Sequence, residues 1–297
     1  MAPEKGAGTR PRTIDAALGW AQAVLGEAGT ESPRLAADII MAHILGWERA
    51  RLLAHNQDDV TPDAWQKFRK LVRRHAAGEP LQYLTGVREF YGRTFRVTPS
   101  VLIPRPETEI LVEKAVDLGR RVRGIPHFAD VGTGSGCIAV SLARELPEAR
   151  GYATDFSLQA LEVAHANAVA LEVAGRVGFV CCDLLDGFPA HPCFDFVVSN
   201  PPYVSGPEMD KLPAGILGYE PRMALYGGES GLDAYRRLIP QAAQRLTVGG
   251  WLLLEVGAGQ AGPVSALIIA EGLTLVEVVE DLQKISRCVV AQRCRIG

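Results

Sequence analysis

The feature that most constrains this 297-residue chain is the alternation that begins near residue 125. Short apolar runs at 127–131, 150–154, 176–181, 194–199 and 251–256 are strand-like. Segments near 136–146, 157–171, 231–247 and 260–271 have helical character. A crossover helix fits between successive strands, so those strands are expected to be parallel. Trp251-Leu252-Leu253-Leu254-Glu255-Val256 is apolar on both faces, as a central parallel strand should be. The chain closes differently. Leu273–Val279 and Arg287–Ala291 are strand-like but too closely connected for a parallel crossover, so that pair is expected to be antiparallel. The expectation is an α/β fold, a doubly wound Rossmann-like parallel sheet with one antiparallel strand at the end.

The first 85 residues have a different texture. Thr13, Ser32 and Thr61 are N-cap candidates, and Pro33 and Pro62 follow two of them at the first helical position. Leu35, Ile39, Ile40 and Ile44 return at helical spacing before Gly46, and Trp65, Phe68, Leu71 and Val72 form a second apolar face. Helices this short need one another, so a small bundle is expected over 13–85, behind a frayed tail at 1–12. Glu89–Val97 places aromatic and β-branched residues around Gly92 and reads as a β-hairpin within a linker at 86–104. A helix starting at Pro106, with Glu107 and Glu109 in its first turn, opens the remaining domain, 105–297. Leu111, Ala115, Leu118 and Val122 supply its buried face.

Chemistry concentrates where the strands end. The first strand of the alternating region runs into Asp130-Val131-Gly132-Thr133-Gly134-Ser135-Gly136-Cys137. Glycines at alternate positions let the backbone turn sharply and approach a ligand, and the next helix presents free N–H groups to it. A dinucleotide fingerprint would need its last glycine at Cys137, so the spacing excludes that site. The G-x-G-x-G loop with a preceding acid instead resembles the loop of S-adenosylmethionine-dependent methyltransferases. That resemblance implies that Gly132, Thr133, Gly134, Ser135 and Gly136 contact the methionine part, with Asp130 on its ammonium group. Asp155 ends the second strand, where a carboxylate can accept both ribose hydroxyls. Asp183 ends the third, where it or Leu184 would meet the adenine. Each acid alone also reads as a loop cap; the ordered series at consecutive strand ends favours a ligand site.

The fourth strand, Phe194–Ser199, delivers Asn200-Pro201-Pro202-Tyr203. Two prolines fix φ twice and remove two N–H donors, leaving an extended turn with free carbonyls. An Asn side chain and a neighbouring carbonyl can receive both hydrogens of a planar NH2 group, and Tyr203 can cover it with a ring face. The same tetrapeptide also reads as a tight loop after a strand.

With both loops placed, the chain resembles the PrmC/HemK family of release factor glutamine methyltransferases. The likeness is carried by Pro80–Gly86, Glu89–Gly92, Val101–Glu109, Asp130–Gly136, Val198–Tyr203, Tyr219–Arg222, Gly231–Asp233 and Leu252–Glu255, and spans about 13–293. The resemblance implies a helical N-terminal docking domain, a linking hairpin and a Rossmann-like class I S-adenosylmethionine-dependent methyltransferase domain. It implies methylation of the side-chain amide nitrogen of the Gln in the Gly-Gly-Gln loop of class I peptide chain release factors. Asn200, Pro201, Pro202 and Tyr203 would be catalytic and substrate-binding, Asn200 would also be cofactor-binding as the fourth polar strand-end group, and Arg105 and Glu107 would lie at the substrate entry. The alternative on the same tetrapeptide is an adenine-specific DNA or RNA amino-methyltransferase, since a flipped adenine presents the same NH2 geometry. Three segments depart from the family pattern: Gly215-Ile216-Leu217-Gly218, Gln283-Lys284-Ile285-Ser286, and Cys182 before Asp183.

Bulk properties narrow the partners. A net charge of −3 argues against a broad nucleic-acid-binding surface, and the clusters Arg69-Lys70/Arg73-Arg74 and Arg120-Arg121/Arg123 read as solvated faces. No C-x-x-C pair exists among the six cysteines, so reduced, mostly buried thiols and no metal are expected. No apolar stretch approaches a membrane span and residues 1–12 lack a signal-like apolar core, so a cytoplasmic protein is expected.

Overall fold

A computed structural model describes residues 11–294 and divides into two compact units. The first runs to Gly86 and takes in Ala214–Tyr219; the second comprises Val87–Pro213 and Glu220 onward. The expected tail lies outside the described residues up to position 10. Arg12 is already tied down, its carbonyl accepting from Val60 N at 2.9 Å.

The first unit begins with α1 (Ile14–Glu27), α2 (Pro33–Leu45), α3 (Arg49–Ala54), α4 (Pro62–Ala76) and α5 (Leu81–Thr85). Thr13 and Thr61 cap α1 and α4 by accepting from Ala16 N and Ala64 N, whereas Ser32 makes no side-chain cap and leaves Pro33 to start α2. Gly46 ends α2 in the left-handed conformation at φ +64°. The buried face of α2 differs from the expected one. Ala36, Ala37, Ile40 and Met41 are buried, while Leu35 faces outward. Small alanines on α2 share one buried core with Ala17 and Ala21 of the neighbouring α1, so the close-packed face is marked by size rather than by bulk. Asp38 is also buried and accepts from Arg34 Nε at 3.0 Å and Arg49 Nε at 3.2 Å, which satisfies its charge.

The second unit opens with the hairpin β1 (Val87–Phe90) and β2 (Arg93–Arg96). Its two-residue turn has positive φ at both Tyr91 (49°) and Gly92 (69°), the twist that a tight hairpin demands. The hairpin is built into this unit rather than standing free. Phe90 and Phe95 enter the core, and Asn167 clamps Arg96 by accepting from its N–H at 2.7 Å and donating to its carbonyl at 3.0 Å. Then follow α6 (Thr108–Gly119), β3 (His127–Val131), α7 (Cys137–Glu145), β4 (Arg150–Asp155), α8 (Leu158–Ala170), β5 (Val177–Cys181) and β6 (Phe194–Ser199). Helix α6 starts two residues after the expected Pro106, and Val122 lies past its end. Short α9 (Gly206–Met209) precedes α10 (Ala214–Leu217), which belongs to the first unit. The chain ends with α11 (Asp233–Arg245), β7 (Leu246–Glu255), α12 (Ala261–Ala270), β8 (Thr274–Glu280) and β9 (Ser286–Gln292).

The seven-stranded sheet has the order β5-β4-β3-β6-β7-β9-β8. Strands β3 to β7 are mutually parallel and β9 is antiparallel to both β7 and β8. The antiparallel strand is thus last in the chain but second from the sheet edge. Both faces are covered, one by a core that includes Phe128 and Phe196, stacked at 5.5 Å, the other by Tyr235, Leu238 and Ile239 of α11. Strand order reverses between β3 and β6, and a crevice opens there at the carboxyl ends.

The cysteines fit less closely the expectation of mostly buried thiols. All six are free, but only Cys137 and Cys288 are buried. Among the described residues no helix is long and apolar enough to cross a membrane.

Candidate active site

A cavity of about 840 Å³ lies over the reversal point, within the range of small-molecule sites. Gly132 and Gly134 form its floor, with φ of 71° and 55°, and a Cβ at either would project into open space. The peptide backbone is therefore laid bare to the cavity. Gly136 has a different reason to be glycine. Its φ is 79° and a Cβ would meet Ala164 Cβ at 2.9 Å, so it seats the loop against α8.

Asp130 does not reach the cavity. It is fully buried beneath the loop, where Oδ2 accepts from Thr133 Oγ1 at 2.6 Å and from Ala139 N at 3.0 Å. Burial pushes its carboxyl up to about 7 against the pull of those two bonds. Its position makes it a brace of the loop and of the first turn of α7, with Oδ1 buried and without a hydrogen-bond partner among the described residues. Thr133, Ser135 and Gly136 are likewise buried behind the lining.

Asp155 does line the cavity. Oδ2 accepts from Gly134 N and Oδ1 from Ser157 N, both at 2.9 Å, which fixes the carboxylate across the glycine loop. Burial raises its pKa while the backbone N–H bonds from Ser157 and Gly134 oppose the rise. A carboxylate has about four acceptor sites, so the backbone donors leave Asp155 capacity for a ligand. Asp183 and Leu184 also line the cavity, but Asp183 is paired with Arg237 of α11. Arg237 was not apparent from sequence, because α11 gives no local sign of which arginine faces the strand ends. Phe156, Leu158 and Met223 add exposed apolar rims that sequence reasoning also missed.

Asn200 and Pro202 line the cavity, whereas Pro201 is buried and Tyr203 turns toward the core. Asn200 Nδ2 donates to Thr108 Oγ1 at 3.0 Å. Among the described residues no donor reaches Asn200 Oδ1 or the Pro201 carbonyl. Tyr203 does not lie open over the turn. Its hydroxyl donates to Glu255 Oε1 at 3.4 Å, and burial raises its pKa. Gly227 packs against this turn so closely that a Cβ would meet the Pro202 carbonyl oxygen at 2.6 Å.

Arg105 and Glu107 are outside the lining. Arg105 Nη2 donates to the buried Glu220 Oε1 at 2.6 Å, and Glu220 Oε2 accepts from Ile103 N at 3.2 Å. This pair ties the segment before α6 to Pro221–Ala224, two walls of the cavity. Glu107 caps the start of α6 without a side-chain cap bond. The departure at Gly215 has a packing reason inside the first unit: a Cβ there would meet the Gly78 carbonyl oxygen at 2.7 Å.

The cavity suits a ligand with a diol, a flat apolar portion and a zwitterionic end. Asp155 offers the acceptors, Phe156, Leu158, Leu184 and Met223 offer apolar surface, and the glycine floor offers backbone. The fold and this arrangement define a class I methyltransferase, with the crevice at the switch point of a seven-stranded sheet. Residues 16–86 match the model described as the PrmC N-terminal domain, and residues 108–215 match the methyltransferase small domain. The chain is 43% identical over 286 residues to the release factor glutamine methyltransferase of Koribacter versatilis (strain Ellin345), covering 96% of this chain and 99% of that protein. It is 44% identical over 284 residues to the protein of the same name from Moorella thermoacetica (strain ATCC 39073 / JCM 9320), covering 95% and 99%. The solved catalytic domain of hMettl16 in complex with MAT2A 3'UTR hairpin 6 superposes with a TM-score of 0.56 at 18% identity. That match covers 73% of this chain and 81% of the other, a likeness of fold alone. The chain belongs to the release factor glutamine methyltransferase family.

Proposed function

We propose that this protein transfers a methyl group from S-adenosylmethionine to the side-chain amide nitrogen of the Gly-Gly-Gln glutamine of class I peptide chain release factors. The observation that carries this reading is the state of Asn200. One N–H of its carboxamide donates to Thr108 Oγ1, no donor among the described residues reaches Oδ1, and the residue lines the cavity. A free carbonyl oxygen held in place suits a donor, and a primary amide supplies two.

S-adenosylmethionine, when bound, supplies an electrophilic methyl group on a sulfonium centre. Asp155 holds its ribose, the backbone at Gly132 and Gly134 takes its amino-acid end, and Asp183, Leu184 and the apolar rim take its adenine. Asp130 serves this site indirectly, by bracing the loop. Thr133, Ser135 and Gly136 shape the same loop from behind.

An amide nitrogen is a poor nucleophile because its lone pair is delocalised into the carbonyl. Asn200 Oδ1 and the Pro201 carbonyl accept its two N–H bonds and so fix the nitrogen. Orientation of this kind is worth up to roughly 7–11 kcal/mol of barrier. Pro202 stiffens the turn, and Tyr203 anchors its far end rather than covering the substrate. No histidine lies in the cavity lining, and the product amide sheds its proton to solvent. Arg105 holds the entry wall through Glu220, and Glu107 starts the helix that carries Thr108. The helical unit docks the release factor, and the protein works in the cytoplasm without binding nucleic acid.

Mass spectrometry of purified release factor after incubation with enzyme and cofactor tests the reading. One added methyl on the loop Gln is expected, with no methylated adenine in a parallel incubation with DNA and RNA. Methylated adenine and unmodified Gln would replace the reading with the amino-methyltransferase alternative.

A further inference from the structure

Glu255 ends β7 at the floor of the Asn200 turn and is 2% exposed. Its two oxygens hold the two ends of that turn. Oε1 accepts from the Tyr203 hydroxyl at 3.4 Å, and Oε2 accepts from Thr108 Oγ1 at 2.6 Å. Thr108 Oγ1 is in turn the partner of Asn200 Nδ2 at 3.0 Å. The Tyr235 hydroxyl donates to the Glu255 backbone carbonyl at 2.8 Å and pins the same residue from α11.

Counting hydrogens gives this chain a direction. A threonine hydroxyl has one hydrogen to donate. An ionised carboxylate only accepts, so Thr108 spends that hydrogen on Glu255. Its remaining lone pairs can then only accept, which obliges Asn200 to present its NH2 group inward. Oδ1 is thereby turned to the cavity. With Glu255 ionised, donor counting alone therefore assigns the Asn200 carboxamide. If Glu255 carried a proton, it could donate to Thr108. Thr108 could then donate to Asn200, and the carboxamide would be free to turn its NH2 group outward, which repels an amide N–H.

We propose that Glu255 and Thr108 are positioning residues that set which end of the Asn200 carboxamide faces the substrate, and that the ionised form of Glu255 is the productive one. The proposal rests on the reading of Asn200 as the holder of an amide NH2 group. Neither residue touches the reacting atoms; both act through Asn200 and Tyr203.

The surroundings of Glu255 make its charge responsive to pH. Glu107 faces it from the start of α6, Arg287 and Cys288 from β9, Cys137 from α7, Tyr203 from the turn and Tyr235 from α11. Burial raises its carboxyl to about 7, with the Thr108 and Tyr203 bonds pulling the other way. The ionised fraction therefore grows as pH rises through neutrality, and methyl transfer should grow with it.

The test is steady-state methylation of an intact release factor from about pH 6 to 9 by full-length wild type, Glu255→Gln, Thr108→Val and Thr108→Ser. Glu255→Gln and Thr108→Val should lower kcat roughly 10- to 100-fold with KM values little changed, since a small misplacement near the reacting centre has that effect. Thr108→Ser keeps the hydroxyl and should recover most of the loss. Wild-type kcat should rise through neutral pH, and Glu255→Gln should lack that rise. The wild-type profile needs no variant to fold, and a flat one overturns the proposal. Wild-type kcat in Glu255→Gln or Thr108→Val, losses confined to KM, or no recovery in Thr108→Ser would also overturn it. A wild type that leaves the Gln unmodified would instead overturn the underlying reading.

Discussion

Gly227→Ala is the substitution that most directly probes the turn carrying Asn200. Gly227 has an ordinary φ, so the alanine backbone itself is unstrained. The added Cβ, however, would lie 2.6 Å from the Pro202 carbonyl oxygen, 2.8 Å from Tyr203 Cα and 2.9 Å from the Gly231 carbonyl oxygen. Real Cβ atoms essentially never approach closer than 3.0 Å, so the worst contact must open by at least 3.0 − 2.6, about 0.4 Å. Residue 227 cannot easily back away. Its N–H donates to the Val204 carbonyl and its carbonyl accepts from Asp233 N, both at 2.9 Å. The Pro202–Tyr203 backbone is left to yield. Overpacking of this kind costs about 1–3 kcal/mol, or roughly 2–12 °C in melting temperature for a unit of this size. A displacement of 1 Å near the reacting centre can cost about 100-fold, so 0.4 Å corresponds to roughly 5- to 10-fold in kcat. Cofactor affinity should stay within about twofold, because the glycine floor and Asp155 lie on other strands. Thermal denaturation, calorimetric titration and single-turnover methylation read these three quantities separately. An unshifted melting temperature together with wild-type kcat would refute the bracing role of Gly227.

Asn200→Ala should lower kcat by at least roughly 100-fold, by analogy with loss of one preorganised polar group, while calorimetry finds cofactor binding little changed; undiminished turnover would remove Asn200 from the mechanism. Asp155→Ala removes charge-assisted hydrogen bonds to the ribose, and losing even one, worth about 1.5–3 kcal/mol, should raise the cofactor Kd at least roughly 10- to 150-fold; an unchanged Kd would reassign the ribose contact. Deleting residues 1–86 should impair methylation of a whole release factor more than that of a short Gln peptide; equal losses would argue against a docking role for the helical unit.

Much of the scaffold was legible in the sequence because its signals are local. The strand 194–199 coincides with β6, and 127–131 with β3, since central parallel strands are continuous apolar runs. The glycine loop was legible because three positive φ values at alternate positions demand glycine. Strand β7 begins at Leu246, five residues before the expected start. Residues 248–250 fall between the expected helix near 231–247 and the expected strand, yet β7 takes in Thr247–Gly250, with a register irregularity opposite Phe194–Phe196. The place of β9 between β7 and β8 is a matter of edge choice, which no local pattern encodes.

Site residues divide along the same line. Asp155 and Asn200 reach the cavity because strand ends are read directly from the chain. Asp130 looked equivalent, but the first turn of α7 and Thr133 claim it beneath the loop. Thr108 and Glu255 are 147 positions apart in sequence, and only the folded sheet brings them together under Asn200. A lone acid at the end of the apolar run Trp251–Leu254 was the available signal for Glu255, since an acid there must find buried donors.

The most direct measurement is a crystal structure with S-adenosylhomocysteine and a Gly-Gly-Gln peptide bound. The Gln nitrogen should lie within about 3.2 Å of both Asn200 Oδ1 and the Pro201 carbonyl, with the thioether sulfur facing that nitrogen and the ribose on Asp155. A Gln side chain bound away from Asn200, or a cofactor seated off the Gly132–Gly134 floor, would contradict this arrangement.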